Sequence, residues 1–168
     1  MTPLLVIDGY NIIGAWETAK KKNWPFEQCR EELIHRLVEY AAFHGCAVVL
    51  VFDGTKSGRP VRSEETVGQV QVIYTRHGET ADQYIERLCD SQPRNREIRV
   101  ATNDSVEQTI VLGRGAARFP AREFLREMAQ ALSVQRESIR RSPVQKSTLI
   151  SRLPEKQREI LEKMRRGE

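Results

Sequence analysis

The chain has 168 residues, 39% hydrophobic and 30% charged, which suits a soluble protein of one domain with room for an appendage. No apolar run approaches the roughly 20 residues that cross a bilayer, and Met1-Thr2-Pro3 leads straight into a strand, so a cytoplasmic protein without membrane span or signal peptide is expected. The net charge of +4 is uneven: residues 135–168 carry ten Lys/Arg against five Glu, a net of +5, which leaves residues 1–134 at −1.

Leu4-Leu5-Val6-Ile7-Asp8 is a continuous apolar run ending in a carboxylate, the pattern of a buried parallel strand. A helix is predicted from about Ile12 to Lys22, ending near Asn23-Trp24-Pro25. A second runs from Phe26 to His44, where Phe26, Leu33, Ile34, Leu37, Val38 and Ala41 share one face and Gly45 supplies the stop. Cys46 to Phe52 is the second buried strand and ends at Asp53. Gly54 to Gly68, with three glycines, one proline and no helical period, reads as a long loop carrying Lys56, Arg59 and Arg62. Val67 to Tyr74 is the third strand.

Thr80 and Gln83 make a capping box, opening a helix that runs to about Ser91. Glu97 to Thr102 is the fourth strand, followed by Asn103-Asp104. Asp104 or Ser105 caps a short helix that stops near Gly113, and Ala116 to Phe119 is a short edge strand. An amphipathic helix covers Pro120 to about Val134. Ser142-Pro143 then breaks the chain, and a last helix starts at Leu153-Pro154-Glu155. Strands alternating with helices predict an α/β fold, a parallel sheet with helices on both faces. The expected division is a body over 1–134 and a basic helical extension over 135–168. Cys29, Cys46 and Cys89 form no metal-type spacing and are expected as buried thiols.

Ligands of such sheets sit beyond the strand C-termini. Asp8, Asp53 and Asp104 all fall there, Asp82 joins from the first turn of a helix, and Glu79 lies just before that helix. Clustered carboxylates repel one another unless a cation compensates, and an all-oxygen donor set suits Mg²⁺ or Mn²⁺. Each aspartate alone also fits a turn or cap role; four at one edge point to a metal-using site. Gly9 to Gly14 has phosphate-loop spacing, but Ala15-Trp16 stands where Lys-Ser/Thr is required. His35, His44 and His77 lack metal-binding spacing, and no serine sits in a nucleophile elbow.

The chain resembles the NYN domain, a branch of the PIN-like ribonucleases, and within it the bacterial YacP-like subgroup. The residues that carry the resemblance are Asp8-Gly9-Tyr10-Asn11, Val51-Phe52-Asp53-Gly54, Gly78-Glu79-Thr80-Ala81-Asp82, Ala101-Thr102-Asn103-Asp104 and Met164-Arg165-Arg166-Gly167. The resemblance implies a three-layer PIN-like sheet of order 3-2-1-4-5 and Mg²⁺-dependent cleavage of mRNA by a ribosome-associated endonuclease. It makes Asp8, Asp82 and Asp104 the catalytic, metal-binding carboxylates, with Asn11, Asp53, Glu79 and Asn103 in support. RNA is expected along Tyr10, Lys56, Arg59 and Arg62, because backbone charge dominates affinity and unstacked bases seek aromatic faces. Two rivals share these features: a DNA nuclease of the same broad fold, and a non-catalytic ribosome- or RNA-binding module with a vestigial site.

Overall fold

Strand β1 (Leu4–Asp8) lies between β2 (Ala47–Phe52) and β5 (Ile98–Ala101) and runs parallel to both, with Leu4 opposite Ala47 on one side and Ile98 on the other. The computed structural model describes residues 1–54, 62–104 and 115–141, together with 160, 163–165 and 167. Its contacts separate two units, Met1–Leu132 and Ser133–Glu168, and the sheet belongs to the first.

Among the described residues the sheet order is β3-β4-β2-β1-β5-β6, where β3 is Ser63–Val67, β4 is Val70–Tyr74 and β6 is Ala117–Phe119. Only β3 is antiparallel to its neighbour. The five strands foreseen from sequence stand in the expected 3-2-1-4-5 order, and β3 is an addition at the edge. It falls inside the segment read as a loop. Ser63-Glu64-Glu65-Thr66-Val67 is polar and mostly exposed, so no apolar alternation marked it. Its pairing comes from a two-residue turn, Gly68-Gln69, in which Gly68 takes the positive φ of 59° that hairpin turns favour.

The apolar runs of the central strands are continuous because both faces are covered. Leu5, Ile7, Val48, Leu50 and Phe52 point to one side, against Ile12, Leu33, Leu37, Phe124 and Met128. Leu4, Val6, Val49 and Val51 point to the other, against Ile85 and Cys89. The first layer is built from α1 (Gly9–Ala15), α3 (Phe26–His44) and α5 (Ala121–Arg141), the second from α4 (Ala81–Ser91). Each fully buried Leu, Ile or Phe contributes about 1.5–3 kcal/mol of transfer free energy, so the two faces together hold the sheet.

α3 has the predicted bounds and ends at Gly45 in the left-handed conformation, φ 63°. The helix expected over Ile12–Lys22 is instead two short helices, α1 and α2 (Glu17–Lys21), parted at Trp16. Trp16 takes an extended backbone so that its ring can bury against Trp24 and beneath the Arg36 guanidinium. α5 runs to Arg141, beyond the expected Val134, and β5 is shorter than expected. The helix foreseen after Asp104, Lys56 and Arg59 of the long loop, and most of the predicted last helix lie outside the described residues. The three cysteines are free and buried. Among the described residues no helix is long and apolar enough to cross a membrane.

Candidate active site

β1, β2 and β5 end on the same edge of the sheet, and the chain leaves each of them through an acidic turn. Asp8 closes β1 and caps α1, its Oδ1 accepting from the Asn11 backbone N–H at 3.4 Å. The next residue, Gly9, leaves room for the buried Phe52 ring: a Cβ there would stand 2.4 Å from it, so the ring would have to shift. Asp53 follows β2, and Gly54 after it is more tightly constrained, since a Cβ there would meet the Thr75 backbone carbonyl oxygen at 1.5 Å. The two Asp-Gly pairs thus mark crowded places behind the acid, a buried aromatic ring at Gly9 and a crossing backbone at Gly54.

Thr75 joins the turn after β2 to the segment that follows β4. Its buried hydroxyl accepts from the Gly54 N–H at 2.7 Å and donates to the Glu79 carbonyl at 2.7 Å. Glu79 leads into α4, whose capping box is formed as foreseen, with Thr80 and Gln83 bonded reciprocally. The box sets Asp82 at the second helical position, where the helix dipole favours a negative charge.

After β5, the Thr102 hydroxyl accepts from the Asp104 N–H at 3.1 Å, fixing the turn that carries that carboxylate. Asn11 bridges β1 to β5: its Oδ1 accepts from the Asn103 N–H at 2.7 Å. Asn103 in turn accepts from the Ala121 N–H at 3.2 Å through its own Oδ1 and so satisfies a donor in the first turn of α5. Asn11 therefore positions the loop that bears Asp104, and its backbone positions Asp8.

Asp8, Asp53, Asp82 and Asp104 line one cavity of about 680 Å³ with Tyr10, Asn11 and Asn103. Asp8 is 8% exposed and the other three carboxylates are half-buried. Tyr10 is held by a stack on Phe26, 5.1 Å between centroids, and by the edge of Phe52. Lys20 of α2 also reaches the cavity. Sequence reading missed it, because one lysine in Lys20-Lys21-Lys22 looks like any other helix-end cation. It missed the Thr75 and Thr102 hydroxyls too: Thr75 lies in no motif, and Thr102 stands in the Ala101-Thr102-Asn103-Asp104 motif with no role assigned to its side chain.

Glu79 does not line this cavity. Its carboxylate is 5% exposed and is clamped by Arg62, at 2.7 and 2.9 Å, and by Arg87. The Arg62 guanidinium also lies over the Tyr84 ring, whose burial pushes the phenol up while Arg62 opposes that shift. Glu79 and Arg62 are therefore brought to each other, not to the four aspartates.

Residues 5–166 match the family described as the YacP-like NYN domain. The chain belongs to that family. It is 37% identical over 167 residues to YacP of Bacillus subtilis (strain 168), covering 98% of both chains. A crystal structure of Rae1 (YacP) from Bacillus subtilis superposes with a TM-score of 0.72 at 37% identity, covering 99% of this chain and 96% of that one. A mutant of the same protein gives 0.71 at 32% identity, with 95% and 98% covered. NYN domains are generally nucleases, so the fold is of nuclease type and the acidic cavity lies at its sheet edge.

The donor set of the cavity is chemically consistent with a hard divalent cation: carboxylate and carboxamide oxygens, with no thiol or imidazole on its described walls. Among the described residues no three such side chains close into a ready cage. Mg²⁺ keeps several waters and needs only one or two direct carboxylates.

Proposed function

We propose that this NYN protein is a Mg²⁺-dependent endoribonuclease that hydrolyses phosphodiester bonds of mRNA in association with the ribosome. The observation that carries the reading is the convergence of Asp8, Asp53, Asp82 and Asp104 on one cavity in a chain of a nuclease-type family. Asp8, Asp82 and Asp104 would hold the cation, directly or through its waters. Bound there, Mg²⁺ (or Mn²⁺) supplies a lowered pKa for the attacking water and charge neutralisation at the phosphate.

The chain's own residues perform the remaining tasks. Asn11 and Asn103 fix the Asp104 turn relative to Asp8 through the two bonds described above. Asp53, at the end of β2, supports the negative wall. Half-buried Tyr10 puts an aromatic ring on the cavity wall, the kind of side chain that an unstacked base of single-stranded RNA seeks. Lys20 supplies a cation at the rim to a phosphate that would otherwise meet only carboxylates. The basic segment over 135–168 fits the polyanionic surface of a ribosome.

The experiment is an in vitro cleavage assay with free mRNA and translating ribosomes, each with Mg²⁺ and with EDTA. Mg²⁺-dependent cuts in RNA, but not in a matched DNA, support the reading. Preferential DNA cleavage makes the chain a DNA nuclease, and ribosome binding without turnover makes it a binding module.

A further inference from the structure

A second concavity, of about 750 Å³, adjoins the acidic cavity and shares Ala15 and Asn103 with it. Its character is opposite. Arg36 of α3 and Arg122 and Arg126 of α5 line it beside Trp16 and Leu125, against one acidic side chain, Glu17. Arg122 and Arg126 are exposed and lie four residues apart on one face of α5, about 6 Å along its axis. Among the described residues neither has a carboxylate partner. Arg122 is also the second residue of α5, where the helix dipole disfavours a cation. An anion in the groove would satisfy both arginines and offset that local cost.

Arg36 is built in differently. Its guanidinium lies over Trp16 and Trp24, 5.1 and 5.8 Å from the ring centroids, and pairs with Glu32 at 3.7 Å. It is thereby a packed cation at the floor, while the other two form an exposed rim. On the opposite flank Arg62, the member of the loop trio within the described residues, is engaged by Glu79.

We propose that this arginine groove is the track for the backbone of single-stranded RNA running to or from the acidic cavity, with Arg122 and Arg126 as its phosphate contacts. The proposal rests on the nuclease reading above and adds the path of the substrate. Repulsion by the four aspartates makes such a track necessary. A polyanion approaching a carboxylate cavity needs cations beside it to hold the strand while one phosphate enters.

The test is binding of a fluorescent single-stranded RNA oligomer in EDTA, by anisotropy over a salt series, for wild type, R122Q/R126Q and R122K/R126K. Each phosphate contact on a single strand contributes about 0.7 to the slope of log affinity against log salt, so the glutamine pair should lower it by about 1.4. Between about 50 and 200 mM salt, wild type should then lose about sevenfold more affinity than the glutamine pair. The lysine pair should keep the wild-type slope. Arg94→Gln, at the opposite edge of the sheet, is the control for general charge. An unchanged slope in R122Q/R126Q, or an equal fall in the Arg94 variant, overturns the groove while leaving Mg²⁺-dependent cleavage by wild type intact. Binding of duplex but not single-stranded RNA overturns the strand assignment. Wild type that neither binds nor cleaves RNA refutes the nuclease reading itself.

Discussion

Glu79→Gln separates a structural carboxylate from a metal-binding one. The Glu79 side chain is almost wholly buried and takes two bonds from Arg62 and one from Arg87. Removing one partner of a buried ion pair costs about 3–5 kcal/mol when the remaining charge stays buried. Here it does not stay buried: the Arg62 and Arg87 side chains are 41% and 56% exposed and regain water once released. The glutamine amide oxygen also keeps one acceptor. The expected loss is therefore about 2–3 kcal/mol, in the range of charged hydrogen bonds after discount for solvent. For a domain of this size that lowers Tm by roughly 5–10 °C. Glu79 acts on catalysis only through the start of α4, so RNA cleavage should fall by no more than about tenfold, or about 1.4 kcal/mol in barrier. Thermal unfolding and single-turnover cleavage of the same preparation check both numbers. An unchanged Tm with abolished cleavage would refute the clamp and make Glu79 a supporting residue of the acidic site.

Gly54→Ala should destabilise by several kcal/mol or prevent folding, because its Cβ would overlap the Thr75 carbonyl, whereas Gly14→Ala in α1 meets nothing within 4 Å and should gain about 0.5–1 kcal/mol; urea titrations of both decide. Stability should fall as pH rises above about 9. Burial is the first cause that pushes the Cys29 and Cys46 thiols and the Tyr40 and Tyr84 phenols up from ordinary values of 9.0 and 10.0, with the Glu127 carboxylate adding to the shift at Tyr40. Groups raised in the folded state stabilise it fully below their unfolded values and lose that contribution as pH climbs through the folded ones. A Tm that is flat or rising between pH 8 and 10.5 contradicts this assignment. Deleting residues 143–168 should weaken ribosome and RNA binding while leaving the unfolding of the remaining chain within about 1 kcal/mol, since the deletion removes none of the sheet strands, which all belong to the unit Met1–Leu132; undiminished, equally salt-dependent binding removes the tail from the account.

The elements that were legible in sequence are those with a single strong local signal. Leu4–Asp8 and Ala47–Phe52 are buried on both faces and read as unbroken apolar runs. α3 has a clear period and a terminal glycine, and α4 has a complete capping box. β3 was not legible because an edge strand that is mostly polar carries no alternation. The break at Trp16 was not legible because it is set by tertiary packing on Trp24 and Arg36. In the site, the aspartates were legible through their strand-end positions. The fate of Glu79 was not, since a glutamate three residues before Asp82 has the reach for either direction, and two arginines, one of them 17 residues earlier, decide it. The Gly9 and Gly54 contacts likewise depend on Phe52 and Thr75, which sequence spacing does not bring near.

The most direct test of the central claim is Mg²⁺-dependent cleavage of a single-stranded mRNA fragment by wild type and by Asp82→Asn. Asp82 lies at the cavity wall on a helix whose capping box is made by Thr80 and Gln83, so the substitution should leave the free energy of unfolding within about 1 kcal/mol of wild type. Cleavage by wild type should require Mg²⁺ or Mn²⁺ and cease in EDTA, and the folded Asp82→Asn variant should show none above background at any Mg²⁺ concentration. Cleavage at the wild-type rate by Asp82→Asn, or undiminished wild-type cleavage in EDTA, would contradict the account.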